Sequence, residues 1–171
     1  MFKRQKEGLH LAEYSSDEEL LLITQMYART NPIGFIPVDI TKGVISFRNG
    51  VASGGYLRLI KVDNTIHGFI AGMLNTQYHN SERTVQQMYY YCDLEGIEAF
   101  RAVVIAHEGL VRYAEGLKAK NITSACSQLY TNENFVKILR TQGWSVFGTI
   151  ALWRTTHHDN PSRNPRSVTQ K

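Results

Sequence analysis

The chain has 171 residues, 43% of them hydrophobic and 20% charged, with a formal net charge of +4, which suits one soluble-type domain with a sizeable core. Much of the positive charge sits at the two ends (Lys3, Arg4 and Lys6; Arg154, Arg163, Arg166 and Lys171), so the interior is near balance and no nucleic-acid groove is expected. The cysteines, Cys92 and Cys126, are too few and too far apart for a disulfide framework, and no run approaches the ~20 apolar residues of a membrane span. No continuous apolar segment follows the basic start, so the expected location is the cytoplasm, with no membrane partner.

In chain order, residues 9–14 alternate weakly and predict a first strand. Ser15 or Ser16 caps a helix, with Glu18 and Glu19 placed for a capping box and Leu20, Ile23 and Tyr27 on its buried face. The helix stops before 31–37, a segment with Pro32, Gly34 and Pro37. Pro37 suits the first turn of a second helix through Val38, Ile40, Val44 and Phe47, which Gly50 and the Gly54-Gly55 pair break. Residues 56–62 and 66–75 are β-rich runs joined at Asp63-Asn64-Thr65, a hairpin signal. After a loop at 79–83, a third β-rich run covers 84–92 and carries Tyr89, Tyr90 and Tyr91.

The longest helical pattern covers 97–120, with Phe100, Val104, Val111 and Ala114 on one face and Arg101, Glu108, Arg112 and Glu115 on another. A strand is expected at 122–128. Thr131 or Asn132 then caps a short helix with Phe135, Ile138 and Leu139 as its apolar stripe, Gly143 stops it, and 144–153 returns as a strand. From about 155 the composition turns to Thr, His, Asn, Pro, Arg and Ser with no apolar period, and disorder is expected. The domain plan is thus a basic lead at 1–7, one α/β domain at 8–154 and a basic tail at 155–171.

The order β-α-α-β-β-β-α-β-α-β combines a hairpin-linked antiparallel part with a βαβ unit, so it requires a mixed sheet with helices on its faces. Over residues 8–154 this order, with the Asn-opened helix closed by Gly143-Trp144, resembles the GNAT superfamily of N-acetyltransferases. Its departures are similar to those of small GNAT-like proteins encoded by bacteriophages. The resemblance implies that strand four splays from strand five to leave backbone groups for the pantetheine arm of acetyl-CoA. It also implies that the following loop and helix start hold the pyrophosphate, where exposed N–H groups and the helix dipole favour an anion. The positions it assigns to the co-substrate are Tyr91, Cys92, Asp93, Gly96, Ile97 and Arg101, with Asn132 from the last helix.

The family's loop motif (Gln or Arg, two residues, Gly, one residue, Gly or Ala) has two registers here. With Gly96 as the first glycine, Asp93 stands at the Arg position and Glu98 at the second small residue. Counted back from Tyr113-Ala114, which resembles the aromatic-Ala near the family's helix end, Glu98 takes the Arg position and Ala99 the Gly. Either way Asp93, Glu95 and Glu98 bring carboxylates to a phosphate seat, and Arg101 is the cation placed to offset them. Many GNAT enzymes protonate the departing thiolate with a Tyr four residues before the glycine stop; Leu139 occupies that position and cannot donate a proton. Tyr130 and Tyr90 are the substitute donors. Glu82, with His79 beside it, is the candidate base, and Phe35 and Ile36 line the segment where the family often binds its acceptor.

Other motifs fall short. His107-Glu108 begins a zinc-protease pattern, but Val111 stands where the second His is needed, and His157-His158 has no third ligand. No metal is expected. The leading expectation is therefore acetyl transfer from acetyl-CoA to an amine by direct attack, with a small-molecule or protein amine as partner and a homodimer open. The alternative is a GNAT-fold binding or structural module without catalysis, which the altered loop and Leu139 favour.

Overall fold

The computed structural model describes residues 8–29, 38–76, 82–124, 137, 138, 140 and 141. Its elements run β1 (Leu9–Ala12), α1 (Asp17–Arg29), α2 (Ile40–Ala52), β2 (Tyr56–Val62), β3 (Thr65–Thr76), β4 (Arg83–Cys92), α3 (Gly96–Gly116) and β5 (Asn121–Ser124). Among the described residues the strands form one sheet in the order β1-β2-β3-β4-β5. It is antiparallel as far as β4, and β5 joins in parallel. This is the mixed α/β sheet expected from the sequence. The expected last helix is described only at four helical residues, and the last strand lies outside the described residues.

Local chemistry sets the boundaries. Ser16 Oγ accepts the Glu19 N–H at 3.4 Å, while the Glu19 carboxylate reaches back to the Ser15 N–H at 2.6 Å, a reciprocal cap one residue wider than the usual box. The cap of α2 is Asp39, whose carboxylate accepts from the Lys42 N–H at 3.0 Å; Pro37, expected to open this helix, lies outside the described residues. Gly50 does not break α2. The helix runs on to Ala52 and closes where Gly54 turns left-handed (φ +85°), with the Gly55 N–H on the Gly50 carbonyl and the Gly54 N–H on that of Val51. Helix α3 stops in the same way two residues beyond Gly116, with Lys118 at φ +54° in the left-handed position.

Strand alternation loads both faces of the sheet. Leu57, Leu59, Ile66, Phe69 and Ala71 meet Leu20 and Ile23 under α1 and α2. Tyr56, Ile60, Ile70 and Val85 meet Ala102, Ala106, Leu110 and Ala114 of α3. The alanine face and Gly109 let α3 sit close: a Cβ at Gly109 would run into the Tyr56 hydroxyl and come within 2.7 Å of Leu11 Cδ1.

Two bulges then shift the alternation. Ile60 pairs with Gly68 and Lys61 with Ile66, so His67 is extra in β3. Ala71 pairs with Tyr89 and Gly72 with Gln87, so Met88 is extra in β4. Among the described residues no helix is long and apolar enough to cross a membrane.

Candidate functional site

The parallel pairs of β4 with the described residues of β5 are Thr84↔Asn121, Val85↔Ile122, Gln86↔Thr123 and Gln87↔Ser124, and Met88, the next residue of β4, is the bulge. A bulge bends its strand and increases its twist, so it turns the outer half of β4. Met88 itself is exposed.

Beyond the bulge the tyrosines divide between the two faces. Tyr89 and Tyr91 lie on the α1–α2 side, where Tyr89 makes edge contacts with Tyr27 (5.0 Å) and Phe47 (5.7 Å). Tyr90 and Cys92 lie on the α3 side, and the Tyr90 ring is 5.6 Å from that of His107. Burial, then the nearby Asp93 charge, raises the Tyr91 hydroxyl above its ordinary pKa. Burial likewise pushes the Cys92 thiol up, so at neutral pH it stays protonated and is a poor nucleophile.

Four residues past β4 the chain enters α3. Gly96 holds φ +58°, where glycine is favoured, and among the described residues nothing beyond its own chain neighbours and helix backbone lies within 4 Å of where a Cβ would stand. The residue before it, Glu95, makes no side-chain cap, which leaves the first N–H groups of α3 without a carboxylate folded over them. Two of the three acids are drawn aside. Asp93 Oδ1 is 2.9 Å from His67 Nδ1, and its N–H bonds the His67 carbonyl at 2.9 Å. Glu98 accepts from Arg101 at 3.1 Å in an i,i+3 pair. Ile97 and Phe100 are exposed on the same turns. An uncapped helix start with open space fits a pyrophosphate, although the net charge around it is negative.

The remaining sequence-derived candidates do not gather there. Glu82 stands at the opposite end of β4, where its carboxylate accepts from Lys120 Nζ at 2.7 Å, about 20 Å from Met88 at ~3.3 Å per strand residue. Tyr130, Asn132, Phe35, Ile36, His79 and Leu139 lie outside the described residues. The structure therefore brings together Tyr91, Cys92, Asp93, Gly96, Ile97 and Arg101 along one strand end and helix start, with Tyr90 under α3.

Three features were not read from the sequence: the bulge at Met88, the His67–Asp93 pair, and a bond between His107 and Gln87 in the core. His107 is fully buried, with Nδ1 2.8 Å from the Val103 carbonyl and Nε2 2.9 Å from Gln87 Oε1. Burial lowers its pKa, against the raising effect of the Val103 carbonyl, so the ring is neutral at pH 7. The available signal was Gln86-Gln87, two polar residues inside a central strand. Among the described residues no cluster of His, Cys, Asp or Glu is placed to hold a metal.

Solved acetyltransferases share this fold. The chain is similar to glucosamine-6-phosphate N-acetyltransferase from Arabidopsis thaliana, at 13% identity and a TM-score of 0.61 over 88% of this chain and 99% of that one. It is similar to a predicted acetyltransferase of Clostridium acetobutylicum solved with acetyl-CoA, at 15% identity and a TM-score of 0.58 over 89% and 99%. A third is AAC(6′)-Iy in complex with the bisubstrate analogue CoA-S-monomethyl-acetylneamine, at 13% identity and a TM-score of 0.61 over 86% and 98%. The fold is the GNAT acetyltransferase fold. No family model matches the sequence, and no curated protein matches it, so the likeness is one of architecture.

Proposed function

We propose that this chain is a divergent GNAT-type N-acyltransferase, similar to the small phage-encoded kind, that takes acetyl-CoA along the outer half of β4 and passes its acetyl group to an amine. The observation that carries the proposal is the Met88 bulge, followed by four more strand residues that lead to an open helix start with no side-chain cap from Glu95. The pantetheine arm would lie along Tyr91 and Cys92, with Asn132 as a further partner. The pyrophosphate would meet the N–H groups of Gly96 and Ile97, with Arg101 and Asp93 flanking it.

Bound there, acetyl-CoA supplies the acyl group: the amine nitrogen attacks the thioester carbon, the C–S bond breaks, and the thiolate leaves as the nitrogen sheds its proton. The chain's own part is orientation and backbone hydrogen bonding to the developing oxyanion. Cys92, half-buried with its thiol pKa pushed up by burial, is a poor nucleophile for an acyl-enzyme, which favours direct attack. Tyr130 is the proposed proton donor to the thiolate. Tyr90, with its hydroxyl buried beneath α3, and Glu82, ion-paired at the far end of β4, would act only through a relay, because direct proton transfer needs heavy atoms roughly 3 Å apart. Phe35 and Ile36 are the proposed acceptor contacts, and a small amine of the kind carried by the analogue bound to AAC(6′)-Iy is the acceptor class.

The carboxylates of Asp93, Glu95 and Glu98 favour a second reading, a binding module of this fold that has lost the co-substrate. A thermal-shift titration separates the two. Ligand that binds the native state raises Tm with concentration, so acetyl-CoA should shift Tm progressively; no shift at millimolar ligand leaves only the module.

A further inference from the structure

We propose that two methionines at the bulge, Met73 and Met88, form an apolar floor for the acyl chain of the co-substrate, so that the protein takes straight acyl groups of medium length in preference to acetyl. The proposal rests on the acyltransferase reading and names the acyl class of that same site.

Both side chains are open to solvent, Met73 at 40% and Met88 at 42% exposure, although they belong to the interior strands β3 and β4. Met73 pairs with Gln86, which makes Met88 its diagonal neighbour across the two strands. Diagonal pairs lie ~7–8 Å apart, within reach of long side chains. The face they share follows from the residues around them. Ala71 packs on the α1–α2 side, so alternation puts Met73 and Asn75 on that side as well. There the Asn75 side-chain amide donates to Gln86 Oε1 at 2.7 Å. Gln87 turns the other way, to His107 of α3, which leaves Met88 on the side of Gln86 and Tyr89. The exposure of Met73 shows that α1 and α2 do not cover this part of the sheet.

Continuity and charge identify the occupant. The pantetheine arm of the proposed site runs from Gly96 back along Cys92 and Tyr91. Met88 stands four residues before Cys92, about 13 Å further along β4 at ~3.3 Å per residue, in the direction in which the arm carries its thioester. Ala71, Met73 and Asn75 of β3 and Gln86 and Met88 of β4 are all uncharged, so this strip offers no counter-charge to an ammonium and suits a neutral aliphatic chain. Methionine side chains are unbranched and polarizable, and they adapt to ligands of varied shape. The strip also has an end. Beyond Met73 it meets the hydrogen-bonded Asn75 and Gln86 amides, and an alkyl chain laid over them would take polar groups out of water without replacing their bonds. The floor therefore selects for length as well as for polarity.

The test titrates the full chain with CoA, acetyl-CoA, hexanoyl-CoA and decanoyl-CoA by calorimetry. Hexanoyl-CoA should bind about ten-fold tighter than acetyl-CoA, because each added methylene gains roughly half of its full burial value on a one-sided floor. Decanoyl-CoA should gain no more than about two-fold over hexanoyl-CoA, its outer carbons lying over the amide pair. Met73→Asn and Met88→Asn should each cut the hexanoyl-to-acetyl affinity ratio about three-fold, and Met73→Leu should keep most of it. A second readout needs no altered binding residue. In protein labelled with [methyl-13C]methionine, which has four methionines, hexanoyl-CoA should move the Met73 and Met88 methyl signals further than acetyl-CoA does. Equal affinity for acetyl-CoA and hexanoyl-CoA overturns the proposal, as do Met73 and Met88 signals that hexanoyl-CoA leaves in place. Movement of the same signals on concentrating the protein without ligand also overturns it, because the strip would then join two copies of the chain. A protein that binds none of the four compounds removes the acyltransferase reading, and this inference with it.

Discussion

The charge at the start of α3 offers the sharpest quantitative test of where the pyrophosphate sits. Glu98 and Arg101 form an exposed pair on the first turns of the helix, their side chains 42% and 60% exposed. A phosphate held by the N–H groups of Gly96 and Ile97 would lie about 8 Å from either charge, since one helical turn rises ~5.4 Å. At that distance a unit charge is worth about 0.5 kcal/mol in bulk water and about 2 kcal/mol at an effective dielectric of 20. Exposure on this scale selects the lower value, and 0.15 M salt reduces it further.

Glu98→Gln should therefore tighten acetyl-CoA binding about two-fold at low ionic strength, and Arg101→Glu, a change of two charges, should weaken it about five-fold. The combined Asp93→Asn, Glu95→Gln and Glu98→Gln variant, which removes three charges from the same mouth, should gain roughly ten-fold. Calorimetric titrations at about 20 mM and 500 mM NaCl give the comparison, because screening at the higher salt should draw the series together. An Arg101→Glu protein with wild-type affinity at low salt, or a triple variant that binds no tighter, would refute this placement of the pyrophosphate.

Three further predictions concern the scaffold. Because burial depresses the His107 pKa below its ordinary 6.5, the unfolded chain takes up a proton there that the native chain resists. The stability is whole above pH 6.5 and is lost as pH falls below it, by at most about 1.4 kcal/mol per unit; a His107→Gln variant should lack that component of the Tm profile, and an unchanged profile would contradict it. Gly68 faces the backbone of β4, where a Cβ would strike the Tyr91 carbonyl oxygen and come within 2.8 Å of Cys92 Cα. Gly68→Ala should cost about 2 kcal/mol or more in urea unfolding, because backbone has to move, and a loss below about 0.5 kcal/mol would count against the observed pairing. Lys118 holds φ +54° at the end of α3, so Lys118→Gly should stabilise by about 0.5–1 kcal/mol; a lower Tm would show that the helix closes differently.

Much of the architecture was legible in the sequence because it rests on local rules. The serines at 15 and 16 with the glutamates at 18 and 19 announced the start of α1, Asp63-Asn64 the hairpin, and the period over 97–120 the long helix; its buried face, though, is Ala102, Ala106, Leu110 and Ala114, and Phe100, expected on that face with Val104 and Val111, is exposed. Boundaries drifted where the local signal was ambiguous. Gly50 looked like a stop, yet its carbonyl receives the Gly55 N–H and the helix passes through it; the pattern of α3 ran to 120, yet the helix ends at Gly116 and Lys118 takes the left-handed position.

The candidate site was legible only in part. Gly96 and the acids around it stand in the sequence, but that Asp93 turns to His67 and Glu98 to Arg101 depends on a bulge in β3 and on helix geometry. The Met88 bulge has no glycine or proline to mark it. It exists because two strands must keep their apolar sets on the right faces while their register shifts, which is a property of the pair and of neither strand alone.

The most direct measurement of the central claim is an amide NMR titration of the 15N-labelled chain with acetyl-CoA. The account predicts saturable shifts concentrated at Gly96, Ile97 and Glu98 and along Met88 to Cys92, with the far end of β4 near Glu82 unmoved. Absence of any saturable shift, or shifts clustered away from that strand end and helix start, would contradict it.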